Sequence, residues 1–462
     1  MKCLLKFAII TVGFLFLLLN FSPAFGKESD VNSQEILKKH KIDRAHVSIE
    51  IRNDKKIVDS INSKTLKVPA SVSKILTTYG ILQRLPLGHR FRTELLYDNE
   101  NIYIKGGGDP SFVSEKMWFL VNEFVRSKIF SVKDIIIDDS IFDQVRFDPS
   151  RENVRVDRAY DSPVGGLSFN WNSINIFVRP AESIGEKAMV YLDPESDYYQ
   201  LVNQTKTVSK AIKKDLSVSI SNSQKIITVT GEVSKSALEK PIYKSIDDPG
   251  IWSGNQLKSF LKQRGISVQG KVRRGEIPSK AVVVAVSESK SLAEILADMN
   301  KFSNNYVAEM LTKSLAAQEM KSGATLKKGV ELIRQEIEQL GLTSKDFIIE
   351  NPSGLTPDNR LSAAAGNEIL SALKKDFRTY SLVLESLPIA GIDGTLKKRM
   401  KGPVTQGWVR GKTGYLDTVV SLAGYAGRKN GEVYTYTFLY NGPRDESIVR
   451  EAFDQILLSL LQ

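Results

Sequence analysis

The stretch KVPASVSKIL, residues 67–76, decides how the rest of the chain is read. Pro69 suits the opening of a helix, and Ile75, Leu76, Tyr79, Leu82 and Leu85 continue it as an apolar stripe. Ser71 then falls near the first turn with Lys74 three residues on, on the same face. There the positive end of the helix dipole favours a developing alkoxide, and the lysine amine lies within reach of the hydroxyl proton. To take that proton the amine must be neutral. A free lysine is neutral in roughly one molecule in 2,500 at pH 7, so half-neutrality requires a shift of about 3.4 units, or ~4.6 kcal/mol. Burial and a second nearby cation both push that way.

By itself this spacing is common. Ser287 with Lys290 and Ser371 with Lys374 repeat it in the same chain. Its downstream company sets it apart. In KFSNNYVAEML, residues 301–311, Ser303-Asn304-Asn305 opens a helical segment, and in VRGKTGYLD, residues 409–417, Lys412-Thr413-Gly414 lies on a strand. Ser-x-Asn recurs at Ser60, Ser168 and Ser173, but no second Lys-Thr-Gly exists.

Composition bounds the chemistry. With 462 residues, 42% of them hydrophobic and 25% charged, the chain is globular and long enough for two or more packed units. Lys2 and Lys6 precede an apolar run from Phe7 to Leu19 and small residues ending at Gly26, so residues 1–26 read as a cleaved secretory leader. The run falls short of the roughly twenty residues that span a bilayer. The single cysteine, Cys3, leaves with the leader, which excludes thiol catalysis and thiolate metal sites. Three histidines, His40, His46 and His89, show no metal spacing, and no Gly-x-Ser-x-Gly elbow is present, so neither a metal nor a cofactor is expected. The formal charge of +11 becomes +9 once Lys2 and Lys6 are gone. A basic exported protein suits an anionic cell wall or, at most, peripheral contact with a membrane face, and no basic block interleaved with aromatics supports nucleic-acid binding.

Along the chain, Val47, Ile49 and Ile51 alternate with polar neighbours in a strand expected to be exposed on one face. Near the other end, two alternating runs meet at Asn430-Gly431, a hairpin signal. After Asp445-Glu446, the positions Ile448, Val449, Ala452, Phe453, Ile456, Leu457 and Leu460 carry helical periodicity. Between about 95 and 286 the chain changes character, with short strand-like runs punctuated by Gly, Pro and Asp turns. We read 27–94 and 287–462 as a discontinuous catalytic domain, and 95–286 as a mostly-β insertion of one or two subdomains.

Taken in order, Ser-x-x-Lys, Ser-x-Asn and Lys-Thr-Gly resemble the signature of the penicillin-recognising serine acyl transferases. The 229 positions between Lys74 and Ser303 narrow the resemblance to the D-alanyl-D-alanine carboxypeptidase/endopeptidase family, peptidase family S13. The stretches GGGDPSF, IDDSIFD, NPSGLTPDNRLS, LPIAGIDGTLKKRM and SLAGY are similar to that family as well. The resemblance implies an α+β fold, an antiparallel sheet flanked by helices, interrupted by a large insertion. It further implies a periplasmic hydrolase acting on D-Ala-D-X bonds of peptidoglycan stem peptides and crosslinks, with β-lactam antibiotics as covalent inhibitors.

By the same resemblance, Ser71 is the nucleophile and Lys74 the base, Ser303 relays a proton to the leaving amine, and Lys412 is the second cation. Asn305 bonds Lys74 and the substrate amide. Thr413 takes the terminal carboxylate, Gly414 lets an extended peptide lie along the strand, and the N–H groups of Ser71 and Tyr415 form the oxyanion hole. Two positions depart from the family's habit: Tyr415 stands where Ser or Thr is frequent, and Asn304 where Asp is frequent. Arg410 is either a compensating ligand for the carboxylate or a solvated charge. A β-lactamase and a noncatalytic wall-binding protein are the competing readings; no Glu-x-x-Leu-Asn loop supports the first.

Overall fold

Alternating apolar residues in Val419–Gly427 and Val433–Asn441 build the expected hairpin, which turns through Gly431 at φ +90°. In the computed structural model, which describes residues 31–151, 162–209 and 213–462, this hairpin is the centre of a five-stranded antiparallel sheet. The leader expected over 1–26 lies outside the described residues. The strand order is Val409–Leu416, Val419–Gly427, Val433–Asn441, Val47–Arg52, Ile57–Ile61. Ile49 stands opposite Phe438, and Lys412 opposite Ala423.

One face of the sheet is closed by the terminal helix Glu446–Leu461, whose Val449, Phe453, Ile456 and Leu457 bury against Ile49, Leu422, Tyr436 and Phe438. The apolar stripe read from the sequence is therefore covered by the sheet. Helix Ala363–Lys375 lies on the other face. Because of it, the strand Val47–Arg52 is buried on both sides rather than exposed on one. Its polar residues found partners instead of water: Ser48 Oγ accepts the Ala363 N–H at 3.1 Å, and Glu50 pairs with Arg52 and accepts from Asn367.

Helix Ser73–Arg84 runs through a second, helical core formed with Leu292–Lys301, Asn305–Met320, Leu326–Glu338 and Ala363–Lys375. Every residue from Ser73 to Leu82 is buried, not only those of the apolar stripe. Local signals start the neighbouring helices: a Ser291–Glu294 capping box, and Asn304 accepting the Val307 N–H.

Strands Arg92–Tyr97 and Val282–Glu288 pair antiparallel, with Arg92 opposite Glu288. Positions 95 and 286, where the sequence reading divides the chain, fall inside this pair. It belongs to a mixed five-stranded sheet completed by Ile102–Gly106, Ile135–Asp138 and Val272–Arg274. Two helices that the sequence reading did not anticipate, Ser114–Val125 and Pro249–Gln263, pack here around Trp252, Leu257 and Phe124. Two three-stranded sheets also lie in this stretch, Gln200–Val208, Ser217–Ser221 and Ile226–Ser234 in one, and Ser173–Arg179, Met189–Asp193 and Lys240–Ser245 in the other, and Ser131–Val132 pairs with Ser267–Val268 in a short parallel ladder.

Candidate active site

Ser71 sits not in the α-helix but in a 3-10 turn, Ala70–Val72, that runs directly into Ser73–Arg84. Ala70 holds φ at +47° and Ser303, across the cleft, at +55°. Left-handed backbone at residues with a side chain costs on the order of 1 kcal/mol or more, and persists where surrounding contacts impose it. Those contacts are visible. Ser421 Oγ donates to the Pro69 carbonyl at 2.6 Å, and a Cβ on Gly414 would stand 2.1 Å from that hydroxyl, 2.7 Å from the Pro69 oxygen and 3.0 Å from the Ser71 nitrogen. On the other side Gly354, at φ +79°, would place a Cβ 1.9 Å from the Ala70 oxygen. The turn that carries Ser71 is gripped between two glycines. The sequence reading gave Gly414 a different reason, room for substrate.

Lys74 is fully buried. Its Nζ lies 3.2 Å from Ser71 Oγ, and it donates to Asn305 Oδ1 at 2.7 Å and to the Ser353 carbonyl at 2.6 Å. Ser353 was not singled out by sequence reasoning, because a backbone acceptor leaves no residue signature. Its stretch, NPSGLTPDNRLS, was noticed without a role. That loop is tied to the serine's helix: Thr77 Oγ1 donates to the Pro352 carbonyl at 2.8 Å, and Asn359 Nδ2 to Ser73 Oγ at 2.8 Å.

Lys412 is also fully buried. Its Nζ donates to Ser303 Oγ at 2.9 Å and to the Thr413 carbonyl at 2.7 Å. Burial lowers its amine to about 7. Ser71, Ser303 and Asn305 thus line one cleft with Thr413, Gly414 and Tyr415.

The cleft's floor is a sheet edge. The Gly411 N–H donates outward to the Pro388 carbonyl at 3.0 Å, so strand alternation turns the N–H and C=O of Thr413 and Tyr415 to the same open side. The Tyr415 ring lies over the Arg450 guanidinium, 5.3 Å from its centroid. Thr413 Oγ1 bonds Thr395 Oγ1 at 2.8 Å, and Arg399 lines the same end while pairing with Asp454 at 2.6 Å. Thr395 and Arg399 come from LPIAGIDGTLKKRM, again noticed without a role. Arg410 is not part of this cleft. Its guanidinium donates to the Leu384 carbonyl at 2.9 Å, outside the residues that line the cleft.

An antiparallel sheet flanked by helices, with a serine and two buried lysines at its open edge, places the chain in the penicillin-binding, serine β-lactamase-like class of α+β folds. More closely, residues 30–460 match the D-Ala-D-Ala carboxypeptidase 3 (S13) family, and the chain belongs to that family of peptidases. It is 29% identical over 400 residues to a D-alanyl-D-alanine carboxypeptidase of Actinomadura sp. (strain R39), covering 81% of this chain and 73% of that one. Among solved structures it is similar to penicillin binding protein 4 (dacB) from Haemophilus influenzae, with a TM-score of 0.78 and 21% identity over 93% of this chain and 98% of that one. The same protein complexed with a novel β-lactam gives a TM-score of 0.73 and 20% identity over 93% and 99%.

Proposed function

We propose that the chain is a serine-type DD-peptidase that cleaves D-Ala-D-X bonds of peptidoglycan through an acyl-enzyme on Ser71. The observation that carries this reading is the setting of the Lys74 amine. A neutral amine has two hydrogens and one lone pair. Asn305 Oδ1 and the Ser353 carbonyl accept from the amine at 2.7 and 2.6 Å, and Ser71 Oγ stands 3.2 Å from it, a geometry in which the neutral amine turns its lone pair to the serine. Ser71 gives its proton to Lys74 as its oxygen attacks the carbonyl carbon, and the N–H groups of Ser71 and Tyr415 receive the developing oxyanion. Ser303, bonded to Lys412, gives a proton to the departing amine as the C–N bond breaks and is reprotonated by the Lys74 ammonium, which returns to the neutral amine; water then attacks the ester, giving its proton to Lys74, which passes it to Ser71 as the acid leaves.

Substrate enters as an added strand on the edge of Val409–Leu416. The Thr413 hydroxyl, paired with Thr395, takes the terminal carboxylate when the bond is the last one, which is carboxypeptidase action. With a longer chain beyond the bond, the same chemistry cuts crosslinks as an endopeptidase. β-lactams acylate Ser71, consistent with the similarity to a protein seen with a β-lactam bound. Export through the leader over residues 1–26 puts the enzyme in the periplasm with its wall substrate.

Incubation with a labelled penicillin, followed by peptide mass mapping, tests the acyl-enzyme. We expect a stable adduct on Ser71 and none in Ser71→Ala, with D-Ala release lost in parallel. Rapid turnover of the penicillin would mean a β-lactamase, and binding of muropeptides without any adduct would mean a noncatalytic wall protein. Mass analysis of crosslinked muropeptides separates terminal from crosslink cleavage.

A further inference from the structure

Helix Asn305–Met320 carries Asn305, Glu309 and Lys313 at successive turns, on one face. Asn305 bonds Lys74. The next two bond the stretch between the strand pair that roots the insertion. Lys313, 2% exposed, pairs with Asp143 at 2.6 Å, and Glu309, 1% exposed, pairs with the fully buried Arg151. The Arg151 pair is bidentate: Nε to Oε1 at 2.7 Å and Nη2 to Oε2 at 2.6 Å. A buried pair of this kind repays the desolvation of two ions only with such geometry and further hydrogen bonds.

Those further bonds lead back to the reaction centre. Glu309 Oε1 accepts from Asn351 Nδ2 at 3.4 Å, and Ser150 Oγ takes the same amide at 2.9 Å. That fixes which way the buried Asn351 amide faces. Its Oδ1 is left to accept the Ser353 N–H at 2.9 Å and the Ser353 hydroxyl at 2.5 Å. The Ser353 carbonyl in turn accepts from Lys74. Both acceptors that aim the Lys74 lone pair are therefore reached from Glu309: one through a single helical turn to Asn305, the other through Asn351.

We infer that Arg151, brought in by the insertion, is a positioning residue for Lys74. It holds Glu309, and through it Asn351 and the Ser353 carbonyl, so that the amine presents its lone pair to Ser71. The inference rests on the acyl-enzyme reading above. It gives the insertion a part in the chemistry: the stretch beginning at Arg92 must dock on helix Asn305–Met320 for the base to be aimed. Removing Arg151 disturbs the direction of Lys74 without touching the strand edge that binds peptide, so the loss belongs to the chemical step and not to binding.

The experiment compares the wild type with Arg151→Met, Arg151→Lys, Glu309→Gln and the double variant Arg151→Met/Glu309→Met. The readouts are the rate of penicillin acylation, kcat and KM on a D-Ala-D-Ala peptide, and the melting temperature. We expect Arg151→Met and Glu309→Gln to slow acylation and lower kcat by about 10- to 100-fold with KM changed less than about threefold, and Arg151→Lys to recover part of that loss. Removing the Arg151 charge leaves the Glu309 carboxylate without its bidentate counter-ion in the interior and lowers the melting temperature. The double variant removes both charges, which brings the melting temperature back toward wild type while acylation stays slow, because Asn351 has lost its carboxylate. A double variant that melts normally and acylates at the wild-type rate overturns the inference; so does a loss carried wholly by KM. Absence of any Ser71 adduct in the wild type would instead sink the acyl-enzyme reading.

Discussion

The Ser421 hydroxyl, on the second strand of the sheet, donates to the carbonyl of Pro69 at 2.6 Å, two residues before Ser71. This bond fastens the turn that carries Ser71 to the Val409–Leu416 side of the sheet, so the oxygen and the strand edge proposed to attack and to receive the peptide are held in one frame. Gly414 makes the close approach possible. Preorganisation of this kind is worth much to a reaction whose rate falls about a hundredfold for a displacement near 1 Å.

Gly414→Ala tests that frame. Its new methyl group cannot fit at 2.1 Å from Ser421 Oγ, so turn and strand must part. We expect acylation to drop about a hundredfold or more, with destabilisation of roughly 1 to 3 kcal/mol, the usual range for overpacking. Stopped-flow acylation alongside denaturant melts would show it, and a wild-type acylation rate in a folded Gly414→Ala protein would refute the close packing.

Replacing Asn305 tests the aiming of the base. Asn305→Ala removes one of the two acceptors for the Lys74 hydrogens, and we expect acylation to fall by about 10²-fold or more. Asn305→Asp instead sets an anion beside the amine, which favours its protonated form. The pH of half-maximal acylation should then move upward. A profile unchanged in position, or moved to lower pH, would contradict this role.

The Lys412 amine gives a stability test with a definite sign. Its pKa is about 7 folded, against 10.5 unfolded, so between those values the unfolded chain binds more protons and stability rises with pH. Below pH 7 both states are protonated and the penalty for burying the charge is fully present. Lys412→Met, though inactive, should therefore be more stable than wild type at pH 6, by roughly 3 to 5 kcal/mol less whatever its lost hydrogen bonds contribute. The advantage should shrink toward pH 10. Chemical melts at pH 6 and pH 9.5 decide it: an equal difference at both would mean that the amine is not depressed.

Arg410 should prove unimportant for the substrate carboxylate. It bonds the Leu384 carbonyl and does not line the cleft, so Arg410→Ala should change KM for a D-Ala-D-Ala peptide less than about twofold while costing about 1 kcal/mol of stability. A tenfold rise in KM with kcat unchanged would return it to the binding site.

Much of this site could be read from side chains alone. Ser71 and Lys74 were legible because a three-residue spacing on a helix is a contact, and Lys412 because its tripeptide occurs once. The hairpin at Gly431 announced itself through a turn that needs positive φ. What escaped was carried by the main chain or by distant packing. Ser353 acts through its carbonyl, which any residue would supply. Ser48 and Glu50 alternate as solvent-facing strand residues do, and only the helix laid over them turns that face inward. The strain at Ala70 and Ser303 has no compositional mark, since neither is a residue that favours left-handed backbone. Arg410 shares a strand with Lys412, yet one residue pair further along it faces another helix altogether.

A strand edge left open is ordinarily a hazard, since any exposed ladder of N–H and C=O groups invites pairing with another molecule's sheet. Here the edge of Val409–Leu416 lies in a cleft that Phe302, Leu355, Arg399 and Arg450 also line. Side chains standing around an edge leave more room for one extended chain than for a second folded sheet. The cleft proposed to admit wall peptides would then also guard the edge against pairing with other copies, and mutations that clear its lining side chains should raise aggregation, read by light scattering.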